Sequence, residues 1–511
     1  MSSVLCSPER PTHQGHRRRK HGAGGAGLEV SVGTVAAGYN ILAAHPFPHL
    51  STWDLSLPVW SSPPLLESST ECKRSRVTVG GGGGGGGAAG DEPADGATPR
   101  KLKWDEVKAL YAESVRECVS EEEGDGGGGD ATDDGTLLVQ QLIACAEAVA
   151  CRDRVHSAAL LGGLCKGAPV HGSPFQRVAS CFIQGLKDRL LLTQQSGSGA
   201  GPSAVAGVPA TIPPEKKEEG LVLAYQLCPY IQFGHLVANG SIMEALEGES
   251  YVHVVDLGLS QGLPAGDQWR QLVDGLVARP GSPPRRVRIT GVGGDPDLMG
   301  SVGRELEAYA GRLGLHLEFT AVDGALESLT PESFEVAEGE ALAVSSVFHL
   351  HRVVKESRGA LNAALRTIHG LRPRVLALVE QDAGHNGPFF LGRFMEALHY
   401  YAAVFDALDA ALPRYDTRRA RVEQFHFGEE IRNIVSCEGP ARVERHERLE
   451  QWRRRMSRAG FQQVPAKAAA RARRWLAETV ACEGYTVAEE KGCLVLGWKT
   501  KPLVAASCWK C

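Results

Sequence analysis

A doubly wound α/β core with antiparallel edge strands, capped by an α-helical block, is the fold class this sequence predicts. Three observations lead there. Short β-branched apolar runs begin at Tyr251 and alternate with amphipathic stretches of ten or more residues, the rhythm of strands joined by crossover helices. From Leu137 to Leu246 every apolar period is helical. Near the C-terminus three short apolar runs are separated by tight turns, the pattern of antiparallel strands added to a sheet edge.

Composition bounds the rest. The 511 residues are long enough for a sizeable core, and 61 Gly with 28 Pro exceed average usage, much of the excess lying early. With 55 basic and 60 acidic side chains the net charge is -5, so no global field draws the chain to nucleic acid or an anionic membrane. Any such contact must be local. The 13 Cys are odd in number and scattered, which reads as reduced thiols rather than a disulfide scaffold. No apolar run reaches the ~18 residues that a spanning helix needs, and no membrane partner is expected.

Residues 1–135 read as a mostly disordered N-terminal region, with a glycine run from Gly80 to Gly87. Within it, Arg17, Arg18, Arg19 and Lys20 form a basic cluster suited to nuclear import or, equally, a solvated charge run. One helix is expected over Lys101–Val119, where Trp104, Val107, Tyr111, Val115 and Cys118 share a face. A Gly- and Asp-rich linker from Gly124 to Gly135 follows, and the folded domain is expected to occupy 136–511.

Two or three helices are expected from Leu137 to Leu192, then a loop from Ser196 to Gly220 and further helix from Leu221 to Leu246. Candidate strands are Tyr251–Leu257, Val287–Val292, Leu315–Thr320, Ala341–Val347 and Val375–Glu380. Helices near Gln268–Ala278, Val302–Leu313 and Lys355–His369 would connect them. Long helical segments are expected over Pro388–Leu412 and through Arg418–Trp475. Closing strands are expected at Tyr485–Glu490, Cys493–Trp498 and Leu503–Cys508.

The first strand runs into Gly258, Leu259, Ser260, Gln261 and Gly262, at the strand end where an open α/β sheet binds nucleotides. Ser260 replaces the middle glycine of a G-x-G-x-G loop, and Asp295 comes late for a ribose-binding acid, so the S-adenosylmethionine signal is degraded. The alternative of a methyltransferase or ligand sensor rests on Asp256, Gly258 and Gly262. Read as a hydrolase elbow, the same G-x-S-x-G lacks a helix directly behind Ser260. His253 reads as a buried core histidine. His349 and His351 lack a Cys or carboxylate at metal spacing, and Cys508 with Cys511 supplies two thiols alone, so no metal site is expected.

Between Arg442 and Arg474 eleven basic residues face three acidic ones. Arg453, Arg454 and Arg455 are the candidate contact for nucleic acid or a partner. An ordinary solvated face is favoured over a DNA-reading helix, because no zinc finger, basic dimer region or helix-turn-helix accompanies it.

Five ordered blocks resemble the plant GRAS family. They are a leucine-rich region at 137–192; Val252, His253, Val254, Val255 and Asp256 for the VHIID signature, within 221–295; a second leucine-rich region at 302–334; a PFYRE region at 343–435; and a SAW region at 438–511. Runs such as Glu380-Gln381-Asp382 with His385, and CEGPARVERHE from Cys437, are similar too. Glu429 stands where the family has an arginine, and Cys508 replaces the alanine of the terminal signature. The ending SCWKC resembles the Required for Arbuscule Development subgroup.

The resemblance implies a Rossmann-like, methyltransferase-shaped core without catalytic chemistry, hence no enzyme activity and no cofactor. It implies a nuclear transcriptional regulator or co-regulator in arbuscular mycorrhizal symbiosis. Its partners would be other GRAS proteins, as homo- or heterodimer, and DNA-binding transcription factors, with promoter contact mostly indirect. Direct sequence-specific DNA binding is the remaining alternative.

Overall fold

The structure is a computed structural model that describes residues 104–118, 131–195, 212–258, 266–293, 296–357, 359–480 and 482–511. The basic cluster Arg17–Lys20, the Gly80–Gly87 run, the loop positions Ser260, Gln261 and Gly262, and Asp295 lie outside those residues.

Helix α1 (Trp104–Cys118) packs on α2 (Ala131–Ala150), with Ala112 and Val115 fully buried. α2, α3 (Arg154–Gly167) and α4 (Pro174–Gln195) make up the first leucine-rich region; Asp153 caps α3 by accepting the His156 amide at 3.0 Å. The next expected helix is two, α5 (Pro214–Leu227) and α6 (Pro229–Ala245), bent by 73° at Cys228 because Pro229 disfavours helical backbone in the residue before it. α5 also begins inside the expected Ser196–Gly220 loop.

The strands are β1 (Tyr251–Asp256), β2 (Arg286–Gly293), β3 (Leu317–Asp323), β4 (Ala341–Val347), β5 (Val375–Gln381), β6 (Gln462–Val464), β7 (Tyr485–Glu490), β8 (Cys493–Trp498) and β9 (Lys501–Lys510). Their order is β3-β2-β1-β4-β5-β9-β8-β7, with β6 on β9. The first five pair in parallel; β9 returns antiparallel to β5, placing Leu376 opposite Trp509. Alternate residues of β1 enter two different cores, Val252 and Val254 in one and Val255 in the other. α6 lies flush on β4 and β5. A Cβ on Gly234 would stand 3.1 Å from both Val347 and Val379, which is why that position has no side chain.

The expected Rossmann-like, methyltransferase-shaped doubly wound core is overturned. The chain is mostly helical, with a mixed and open sheet. The alternation of strand and helix is confined to the segment ending at Gln381, and residues 382–461 contain no strand. In that stretch α11 (Phe390–Ala411) and α13 (Gly428–Ser436) pack with α4, and α11 also packs with α1 and α2, giving a helical layer with its own apolar contacts. The strand-and-helix alternation that suggested the class occupies residues 251–380, and the helices outside that segment make the chain mostly helical.

The long helical segments expected through Arg418–Trp475 are present but interrupted. α12 (Thr417–Val422), a π-helical turn at Glu423–Phe427 and α13 run together, but residues 442–448 are extended, and α14 (Leu449–Arg458) and α15 (Ala469–Thr479) flank β6.

Candidate functional site

The VHIID strand is interior to the sheet, between β2 and β4. His253 is fully buried; its Nε2 lies 2.8 Å from Thr290 Oγ1 and its Nδ1 3.3 Å from Glu340 Oε2. Burial, then the charge of Arg288, lowers its pKa to about 4 despite Glu340. That environment suits the core histidine expected from the sequence. At the strand end, Asp256 Oδ1 accepts the Gly258 amide and Oδ2 accepts Trp269 Nε1, each at 2.9 Å. Trp269 lies on α7 (Asp267–Ala278), so the carboxylate ties the strand to the following helix. Burial pushes Asp256 up to about 6, against the pull of these two donors. Both oxygens are engaged in holding the fold.

A cleft of about 1000 Å³ opens beside this carboxylate, bordered by Asp256, Gly258, Trp269, His349, His351 and Glu444 among others. At its floor lies a cluster that the sequence reading did not assemble. His351, on the short helix α9 (Leu350–Val353), places Nδ1 2.7 Å from Glu380 Oε2 on β5 and Nε2 3.0 Å from Glu444 Oε2 on the extended 442–448 segment. His446 and His385 meet through their Nδ1 atoms at 3.0 Å. All five side chains are buried.

Burial opposes a charge on His351, but Glu380 and then Glu444 outweigh it and raise the pKa to about 9. His446 goes the other way, held well below its ordinary value by burial and then by His351. No carboxylate stands at metal spacing beside His351 in the sequence; Glu380 and Glu444, 29 and 93 residues away, become its neighbours only in space. One signal was available, a glutamate ending the otherwise apolar run VLALVE of β5.

The Arg442–Arg474 stretch divides by burial. Arg442 and Arg445 are buried; Arg445 Nε donates to the Arg442 carbonyl at 2.9 Å and Nη1 to Asn386 at 3.2 Å. Arg453 bonds Gln463 at 2.9 Å, and Arg455 is held by buried Glu447. Arg454 is exposed. The three candidate contact arginines thus do not present an equivalent surface. Glu429, the departure from the PFYRE pattern, is answered locally by Arg432 at 3.1 Å, which also holds Asp188 at 2.6 Å.

Cys508 is buried, and its thiol donates to Ser241 Oγ at 3.0 Å. Cys511 is exposed and points to the His369 carbonyl. Three residues apart at a strand end, the two thiols face opposite sides. In the helical cap, α3 turns Ser157, Leu161 and Leu164 inward and leaves Val155, Ala158, Ala159, Gly162 and Gly163 exposed.

A helical cap set against a mixed, open sheet, with the carboxylate at the strand end engaged in internal bonds, is the architecture of a GRAS-type fold. The GRAS domain family matches residues 138–510, and the chain belongs to that family. It is 53% identical over 480 residues to the GRAS family protein RAD1 of Lotus japonicus, covering 91% of this chain and 94% of that one. It is 58% identical over 396 residues to RAD1 of Medicago truncatula, covering 77% and 75%. The crystal structure of SCL7 from Oryza sativa superposes with a TM-score of 0.64 at 31% identity, over 73% of this chain and 99% of that one, and sets the fold as GRAS-type. The protein is a nuclear transcriptional regulator rather than an enzyme, of a family whose members form homo- and heterodimers and bind transcription factors.

Proposed function

We propose that this protein regulates genes of arbuscular mycorrhizal symbiosis by presenting the outer side of its helical cap to a second GRAS domain or to a DNA-binding transcription factor. The observation that carries this reading is α3. Gly162 and Gly163 each cost a helix interior about 1 kcal/mol relative to Ala, and nothing within 4 Å of either position requires the absence of a side chain. With Val155 84% exposed on the same helix, they form a smooth apolar surface that a partner can approach closely. The identity with RAD1 proteins supports the symbiotic setting. In the same reading residues 136–511 act as the GRAS domain, and Arg17, Arg18, Arg19 and Lys20 serve import.

The test is a Val155→Asp, Gly162→Gln double variant of the full chain. Since both positions are exposed, the expected result is an unchanged melting temperature, weakened association in light scattering, and failure to restore root arbuscules in a mutant plant lacking the protein. Wild-type association and full restoration would remove α3 from the interface.

A further inference from the structure

We propose that His351, Glu444 and His446 form a zinc site that fastens the extended 442–448 segment to the ends of β4 and β5. Nε2 of His351 and Oε2 of Glu444 are 3.0 Å apart, Oε2 and Nε2 of His446 are 3.4 Å apart, and the three ligand atoms all lie within 4.8 Å of one another. Ligands about 2.0 Å from a tetrahedral zinc stand about 3.3 Å from each other. Modest rotation of the two imidazoles therefore brings all three atoms onto one ion.

A second observation points to a ligand independently of that spacing. His446 is fully buried, and its Nε2 makes no hydrogen bond, although it is aimed at the Glu444 oxygen. A buried ring nitrogen left so costs stability unless something completes it. The supporting shell is also present. His351 Nδ1 is held by Glu380 at 2.7 Å, the carboxylate–histidine arrangement that fixes a metal-binding tautomer, and His446 Nδ1 is held by His385 at 3.0 Å. Arg352 holds the other oxygen of Glu444 at 3.2 Å, leaving Oε2 as the single donor to the ion.

The exchange balances in protons. Without metal, protonated His351 donates Nδ1–H to Glu380 and Nε2–H to Glu444. Zinc takes the place of the Nε2 proton, which leaves to solvent, while Nδ1–H stays on Glu380; the two positive charges then face the carboxylates of Glu380 and Glu444, the second of which also keeps Arg352. His351 and Glu444 border the cleft, so a water can take the fourth position. Two histidines and one carboxylate also suit ferrous iron, but that ion in this ligand set keeps several open positions, and a floor of fully buried rings leaves room for few.

The experiment uses the purified full chain, stripped with chelator and then loaded with zinc or cobalt. The expected result is one zinc per chain, a higher melting temperature when loaded, and a cobalt spectrum with visible ligand-field bands but no thiolate charge-transfer band. Glu444→Gln and His446→Gln should each weaken zinc binding at least 100-fold, while Cys511→Ala should not. Absence of bound zinc, a thiolate band showing that cysteines hold the metal, preferential loading with iron, or unchanged affinity in His446→Gln would each overturn the assignment. Should a glutamine variant fail to fold, the wild-type cobalt spectrum decides alone.

Discussion

Trp498 Nε1 donates to Asp406 Oδ2 at 2.6 Å across 92 residues of sequence, joining β8 to the C-terminal half of α11. Lys499 Nζ reaches the same oxygen at 2.5 Å. Asp406 and Trp498 are both buried, so the carboxylate satisfies the indole where water does not, while Lys499 is partly exposed. Asp406→Ala leaves the buried Trp498 indole unpaired and is expected to cost about 1–3 kcal/mol, the scale for a buried donor without its partner. Asp406→Asn keeps an acceptor and should lose clearly less. Urea unfolding midpoints check the order, and equal midpoints for wild type and the alanine variant would show the tie to be idle.

His235 on α6 is buried, its Nδ1 makes no hydrogen bond, and burial lowers its pKa to about 4. The unfolded chain protonates this ring near pH 6.5 while the folded chain keeps it neutral. Folding therefore loses stability as pH falls from about 6.5 toward 4, and loses nothing here above 7. At pH 5 this histidine alone is expected to cost about 2 kcal/mol relative to pH 8. In His235→Phe that part of the acid slope should vanish, whatever the packing change does at pH 8. An identical slope for variant and wild type in denaturant titrations at the two pH values would refute it.

Asp256 behaves oppositely. Its folded pKa, about 6, lies above the ordinary carboxylate value, so its contribution is fullest in acid and declines as pH rises through 6. Trp269→Phe removes one of the two donors that favour the charged form, and should cost about 1–3 kcal/mol. Because the lost bond matters most to the carboxylate, the deficit should be larger at pH 7.5 than at pH 4.5. Thermal melts at both values test this, and a deficit independent of pH would count against it.

The arginines separate by experiment as they do by burial. Arg393 is 1% exposed and donates to the Ile434 carbonyl at 3.0 Å, the Gly387 carbonyl at 2.9 Å and Glu438 at 2.6 Å. Arg393→Ala should therefore destabilise by several kcal/mol, about 3 or more. Arg454 and Arg458 are exposed, and their double alanine variant should stay within about 0.5 kcal/mol of wild type. If this face touches DNA directly, that variant reduces the salt slope of binding by about 1 per lost phosphate contact. An unchanged slope, read by anisotropy over a salt series, leaves promoter contact to partner proteins.

Much of the element pattern was legible locally. The β4, β7 and β8 bounds expected from apolar alternation are those observed, and β1 and β5 differ by one residue, because strand and turn chemistry act over a few neighbours. α1 was legible as an amphipathic helix, but its docking was not. Tyr111 donates to the Met395 carbonyl, a contact across 284 residues that no local window contains. β6 was hidden for a similar reason: Gln462–Val464 is a three-residue strand that exists only because β9 offers an edge.

By itself the sequence determined most of the helices and strands, the family blocks and their order, and the degraded glycine pattern of Gly258–Gly262. Only the tertiary structure decided the class of fold, since strand order and the packing of α11 and α13 on the cap depend on pairings between distant segments. It alone brought Glu380, His385, Glu444 and His446 around His351. Apolar periodicity records which side of an element avoids water, a property each segment carries with it. Which buried polar groups satisfy one another depends on distances that exist only once the chain has closed on itself.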